Sequence, residues 1–141
     1  MQEIIFLNGK FTSHDEAKIS ILTPGFLYGW GLFETMRAYN NRIVYFDAHL
    51  ERLKRSARLL DIRCPYSLAK VKEIIYEAVK INGLRDASIR LTLWKCESGA
   101  DTLIIAKKYQ PCSSQKYKKG FRASISPFRQ NENSFLAQLK T

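Results

Sequence analysis

Histidine, cysteine and acid are all scarce in this chain of 141 residues. There are two histidines, His14 and His49, and three widely separated cysteines, Cys64, Cys96 and Cys112, with no CxxC pair. Those counts argue against a zinc module or a disulfide framework and predict reduced, buried thiols. The longest uncharged run lies between Lys18 and Glu34; it is too short for a membrane span and is broken by Pro24, Gly25, Gly29 and Gly31. The opening stretch MQEIIFLNGK has none of the basic, apolar and cleavage regions of a secretory signal, so a cytoplasmic protein is expected. Internal repeats and low-complexity tracts are absent. Aspartate and glutamate number 13 against 23 lysines and arginines, a formal charge of +10. Such an excess favours anionic partners, nucleic acid among them. The cations, however, are scattered through predicted helices, turns and linker instead of lining one sheet face with aromatics, which argues against a nucleic-acid interface.

What is present describes a folded domain: 45% of residues are hydrophobic and 12% aromatic, well above a disordered composition. Glu3 to Leu7 reads as a strand, and Asn8-Gly9 is the dipeptide of a tight hairpin turn, so Lys10 to Ser13 should return beside it. Pro24-Gly25 marks a loop. Phe33 to Tyr39 alternates, and Asn40-Asn41 should turn it into a strand from Ile43 to Phe46. Asp47 suits the N-cap of a helix from Ala48 to Leu60, with Leu50, Leu53, Ala57 and Leu60 on its buried stripe. Ser67 should cap a second helix from Leu68 to Asn82, ended by Gly83, with Leu68, Val71, Ile75 and Ala78 inward. Ser88 to Lys95 and Thr102 to Lys107 are two further strands, with Gly99 between them. Tyr109 to Lys119 has the composition of a linker, Phe121 to Pro127 that of a short strand, and Ser134 to Leu139 begins something helical. The pattern predicts an α+β fold: a largely antiparallel sheet with two flanking helices.

Four segments in fixed order carry the chemistry: YGWGLFETMR (Tyr28 to Arg37), HLERLKRSA (His49 to Ala57), SIRLTLWK (Ser88 to Lys95) and GFRASISPFRQNENSFLAQLKT (Gly120 to Thr141). Together, and over essentially the whole chain, they resemble the class IV aminotransferases, the fold-type IV pyridoxal-phosphate enzymes. These include branched-chain and D-amino acid aminotransferases and 4-amino-4-deoxychorismate lyases. The resemblance implies pyridoxal 5′-phosphate as cofactor, an amino acid and a 2-oxo acid as substrates, and a homodimer. It divides the chain into an N-terminal α+β domain at 1–116 and, at 117–141, a linker and the truncated start of a cofactor-binding domain. The missing C-terminal domain would be needed for turnover. A lyase acting on 4-amino-4-deoxychorismate is the alternative within the same family.

Residue by residue, the first segment resembles the stretch that approaches the substrate pocket, with Tyr28 and Phe33 as aromatic walls. Many members carry an acid where this chain has Trp30, a departure that bears on substrate identity. Arg52 matches the arginine that holds the cofactor phosphate, a task suited to a guanidinium fork. His49, Arg52 and Ser56 form a polar stripe beside the leucines. Arg90 aligns with an arginine that binds substrate carboxylate, and Lys95 falls near a position often occupied by arginine. Alternation puts Arg90 and Lys95 on opposite faces of their strand. Lys140 resembles the lysine that holds the cofactor through its amine and then moves a proton at the substrate α-carbon. Without the resemblance, a lysine so close to the chain end would read as a frayed, solvated charge.

Overall fold

The structure, a computed structural model, describes residues 3–129 and 131–141. Met1, Gln2 and Gln130, the last residue of the SPFRQ stretch, lie outside the described residues. β1 (Ile4–Leu7) and β2 (Lys10–Ser13) form the expected hairpin. Asn8 and Gly9 both have positive φ, at 47° and 98°, which is the backbone that Asn-Gly adopts with least strain. After α1 (Pro24–Leu27) come β3 (Gly31–Tyr39) and β4 (Arg42–Ile43), joined through Asn40 and Asn41, again both at positive φ. Two 14-residue helices follow, α2 (Phe46–Leu59) and α3 (Leu68–Ile81). The long strands β5 (Ala87–Cys96) and β6 (Gly99–Lys108) complete a six-stranded sheet in the order β2-β1-β6-β5-β3-β4, antiparallel throughout. The α+β architecture therefore matches the sequence expectation.

The helices cover one face of the sheet. Leu50, Leu53 and Ala57 from α2 and Val71, Ile75 and Ala78 from α3 are buried, as the spacing predicts. They meet Leu32, Met36 and Ala38 of β3, Ile89, Leu91 and Leu93 of β5, and Ile104 and Ala106 of β6. Burying one such side chain stabilises by about 1.5–3 kcal/mol. On the opposite face α1 seats against Trp94. A Cβ on Gly25 would lie 2.5 Å from the Trp94 side chain, so only glycine permits this approach.

Several boundaries differ from the sequence reading. β4 stops at Ile43 because Phe46 turns inward: it is buried, packs beside Tyr76 and starts α2. The N-cap of α2 is Tyr45, in the left-handed region and without a side-chain hydrogen bond, so Asp47 is not the cap. Asp47 lies in the first turn, where its charge complements the unpaired N–H groups. Ser67 caps α3 as expected, accepting from Lys70 N. Phe121 to Pro127 is not a strand; it pairs with nothing among the described residues, and Phe121 and Ile125 are exposed. The region read as linker contains a short helix, α4 (Ser114–Lys119), capped by Ser113. Phe135–Gln138 forms a single 3₁₀ turn. All three thiols are free, but only Cys96 is buried; Cys64 is half-buried and Cys112 exposed. Among the described residues no helix is long and apolar enough to cross a membrane, and no group of His, Cys, Asp or Glu could hold a metal.

Candidate active site

On β3 the inward positions are Leu32, Glu34, Met36 and Ala38. One of these four is a carboxylate, and its side chain is 1% exposed. A charge so placed is unfavourable unless it is paired and hydrogen-bonded. Three basic side chains surround Glu34. The side-on edge of the Arg52 guanidinium donates to it twice, Nε to Oε1 at 2.7 Å and Nη2 to Oε2 at 2.6 Å. His49 Nδ1 lies 2.7 Å from Oε2 and donates its proton there. The 3.3 Å approach of Arg52 Nη2 to the same ring nitrogen is then a contact only, because a protonated Nδ1 has no lone pair to offer. Lys140 Nζ is 3.8 Å from Oε2.

Local geometry explains the convergence. His49 and Arg52 lie three residues apart on α2, which places them on one flank, facing β3. Lys140 arrives from far along the chain. β4 pairs only with Ala38 and Tyr39, so the outer edge of the first half of β3 has no strand beside it among the described residues. The final residues fold back onto this edge. Phe33 N donates to the Lys140 carbonyl at 3.0 Å, and Leu139 packs against the core. From the edge the amine reaches both faces of the sheet: Glu34 on the helix face and, 5.1 Å from its ring centroid, Phe33 on the open face.

The other anticipated residues divide between the two faces. Arg90 lies on the open face with its guanidinium 3.9 Å over the Phe33 ring, so Phe33, Arg90 and Lys140 form one group. Lys95 points to the helix face and is held at the end of α2, bonding the Asp61 carbonyl at 2.6 Å and carboxylate at 2.9 Å. Beside it Trp30 Nε1 donates to the Leu60 carbonyl. Lys95 is thus not brought to Lys140; strand alternation separates it from Arg90. Tyr28 is the C-cap of α1 and is 77% exposed. Arg37 does not form an ion pair among the described residues. It stacks 3.6 Å over the Tyr109 ring, and its buried Nε has no partner there.

Glu34 is the residue that sequence reasoning missed. The available signal was its register: an acid in an otherwise apolar inward row needs cations, and the polar stripe of α2 supplies them. Burial by itself would raise the Glu34 carboxyl; hydrogen bonds from Arg52 and His49, then the charges of Arg52 and Lys140, together outweigh it and hold the group below the ordinary glutamate range. Because the folded value is depressed, its stabilisation is present above the ordinary value and is lost as pH falls through the folded one. Acid unfolding, followed by circular dichroism, should therefore lose a component below the ordinary glutamate range, and Glu34→Gln should flatten it.

Arg52 remains 42% exposed and Lys140 35%. Glu34 occupies the side-on edge of the guanidinium, which leaves N–H groups on Nη1 and Nη2 for a second anion. The donor set at this edge is therefore a guanidinium with outer N–H groups, a reachable primary amine fixed by its own backbone, and an aromatic ring stacked with a second guanidinium.

Residues 31–141 match the family model for amino-transferase class IV. The chain belongs to this family. As a class IV member it is 32% identical over 106 residues to the aminodeoxychorismate lyase of Bacillus subtilis, covering 75% of this chain and 36% of that one. It is 31% identical over 85 residues to the D-alanine aminotransferase of Staphylococcus haemolyticus, covering 60% and 30%. A protein of Methanocaldococcus jannaschii, named only provisionally as a branched-chain-amino-acid aminotransferase, is 40% identical over 89 residues, covering 63% and 31%. Among solved structures, the branched-chain aminotransferase of the archaeon Thermoproteus uzoniensis with norvaline superposes with a TM-score of 0.70 at 28% identity, over 78% of this chain and 42% of that one. A second branched-chain amino acid aminotransferase, from T.th., was solved with pyridoxamine 5′-phosphate and gives a TM-score of 0.70 at 28% identity, over 79% and 42%. This class IV chain thus spans about a third of the three relatives matched by sequence and about two fifths of the two solved enzymes.

Proposed function

We propose that this chain is part of a pyridoxal-phosphate enzyme that moves an amino group between an amino acid and a 2-oxo acid. The observation that carries this reading is the convergence of Arg52 and Lys140, distant in sequence, on the buried carboxylate of Glu34. Pyridoxal phosphate, when bound, supplies an aldehyde and a conjugated ring that draws electron density from the substrate α-carbon. The residues present fit that group. Arg52 offers its outer N–H groups to the phosphate while Glu34 and His49 fix the guanidinium plane. Lys140 would supply the amine that holds the cofactor, and its Nζ would hold or move a proton at the substrate α-carbon. Phe33 gives a flat apolar surface beside that amine, and Arg90 offers a guanidinium to a substrate carboxylate. Tyr28, exposed at the end of α1, and Lys95, held by Asp61 on the other sheet face from Arg90, have no step in this scheme.

Trapping tests the proposal. The chain is mixed with pyridoxal phosphate, reduced with borohydride and digested. The expected result is a single dominant phosphopyridoxyl-labelled peptide carrying Lys140, with labelling suppressed in Arg52→Leu. Label spread evenly over the surface lysines would overturn the reading.

A second activity, elimination of pyruvate from 4-amino-4-deoxychorismate, is supported by the 32% identity to the Bacillus subtilis aminodeoxychorismate lyase over 106 residues. Pyruvate release without an added 2-oxo acid separates the two. The division at residue 117 belongs to the same proposal. Residues 121–129 are exposed, including Phe121, Ile125 and Phe128, as expected of a segment that meets a further domain. A homodimer is proposed on similar grounds: Ile19, Ile21, Leu22, Phe26 and Leu27 form an exposed apolar run. Light scattering at rising concentration should show the mass of a dimer, and a monomer throughout would refute this.

A further inference from the structure

A cavity of about 540 Å³ lies between the later turns of α2, the loop that follows it and the first turn of α3. That lies within the range of small-molecule sites. Its floor is apolar, built from Leu50, Leu53 and Ala57 of α2, Leu68 and Val71 of α3, and Leu93 of β5. The rim is cationic, with Lys54 and Arg58 on α2 and Arg63 on the following loop. The acid in this lining, Asp61, is already engaged by Lys95 at 2.9 Å and Arg63 at 3.8 Å. Lys54 and Arg58 have no acidic partner among the described residues. Both are exposed. The mouth of an apolar cavity thus carries two uncompensated positive charges one helical turn apart.

We infer that this cavity is a binding site for an amphipathic monocarboxylate, its apolar body on the leucine floor and its carboxylate between Lys54 and Arg58. A neutral apolar molecule would leave both cations unused. An apolar amine would meet repulsion. The guanidinium of Arg58 presents the planar donor pair that a carboxylate accepts. The site is distinct from the Glu34 centre. Two residues of helix turn the chain by about 200°, so Lys54 projects from the flank of α2 opposite to Arg52, and neither Arg52 nor Lys140 lines the cavity.

Octanoate, octanol and octylamine serve as probes in calorimetric titrations of the chain. Octanoate should bind with one site per chain and at least about tenfold more tightly than octanol, since a charge-assisted hydrogen bond contributes about 1.5–3 kcal/mol. Octylamine should bind more weakly than octanol. Lys54→Gln with Arg58→Gln should bring octanoate down to the level of octanol; both side chains are exposed, and an unchanged thermal melt verifies the fold. Cys64, half-buried in the lining, locates the ligand. In a Cys112→Ser background, octanoate should slow alkylation of Cys64, measured by mass spectrometry in mildly alkaline buffer because burial pushes this thiol up. Equal affinity for octanol, undiminished octanoate binding in the double variant, unprotected Cys64, or no binding at all would each overturn the inference.

Discussion

A chain extended to the length of its relatives and carrying Lys140→Met is expected to lose amino-group transfer by at least about a thousandfold, the scale set by removal of a positioned proton carrier together with the attachment point of the cofactor. Methionine keeps an unbranched stem and removes the amine. The backbone bond from Phe33 N to the residue 140 carbonyl and the packing of Leu139 are untouched, so stability should change little. Lys140 is 35% exposed, and its distance from Glu34, 3.8 Å, is long for a hydrogen bond, so loss of the ion pair is a small matter. The discriminating result is therefore activity lost while the melting temperature is kept. Turnover persisting at the parent rate would remove Lys140 from the chemistry altogether.

The second large effect is expected at Glu34. Glu34→Ala removes the carboxylate that accepts from both Arg52 Nε and His49 Nδ1. It also leaves a small void beside Leu32 and Met36. A fully buried pair so broken would cost about 3–5 kcal/mol. Arg52 is 42% exposed and rehydrates, so about 1–3 kcal/mol is expected from the orphaned groups and the cavity. Glu34→Gln should cost less, because it retains the shape and one acceptor. Both variants should loosen the guanidinium plane and weaken binding of a phosphate-bearing ligand by about tenfold, as removal of an orienting partner does elsewhere. Denaturant titration gives the first quantity and pyridoxal phosphate titration the second. An unchanged midpoint in Glu34→Ala would mean that the carboxylate is not a stabilising centre of the fold.

Much of the architecture was legible because it rests on local chemistry. Asn8-Gly9 and Asn40-Asn41 specify turns through their tolerance of positive φ, Ser67 specifies a helix start through its hydroxyl, and the leucine spacings of α2 and α3 specify their inward faces. The failures were of another kind. Tyr45 gives no chemical sign of being a helix N-cap; it takes that role because Phe46 is drawn into the core. Phe121 to Pro127 has the composition of a strand but no neighbour to pair with among the described residues, and strand identity depends on pairing. Within the candidate site, Arg52 and Lys140 came from a resemblance, whereas Glu34 required knowledge of which face of β3 was covered. The separation of Lys95 from Arg90 was legible too, because strand alternation puts them on opposite faces, whereas the place of Tyr28 depends on how the short helix α1 seats on the sheet.

The short β4 leaves half of β3 uncovered, and the last residues of the chain close over that gap. A backbone hydrogen bond from Phe33 N and the packing of Leu139 hold them there, with the Lys140 amine beside Glu34 and over the Phe33 ring. Residues 121–129, exposed on the way to that edge, take no part in these contacts, so the strand edge itself positions Lys140. A strand edge left open by a short neighbour thus becomes the mooring for a side chain distant in sequence.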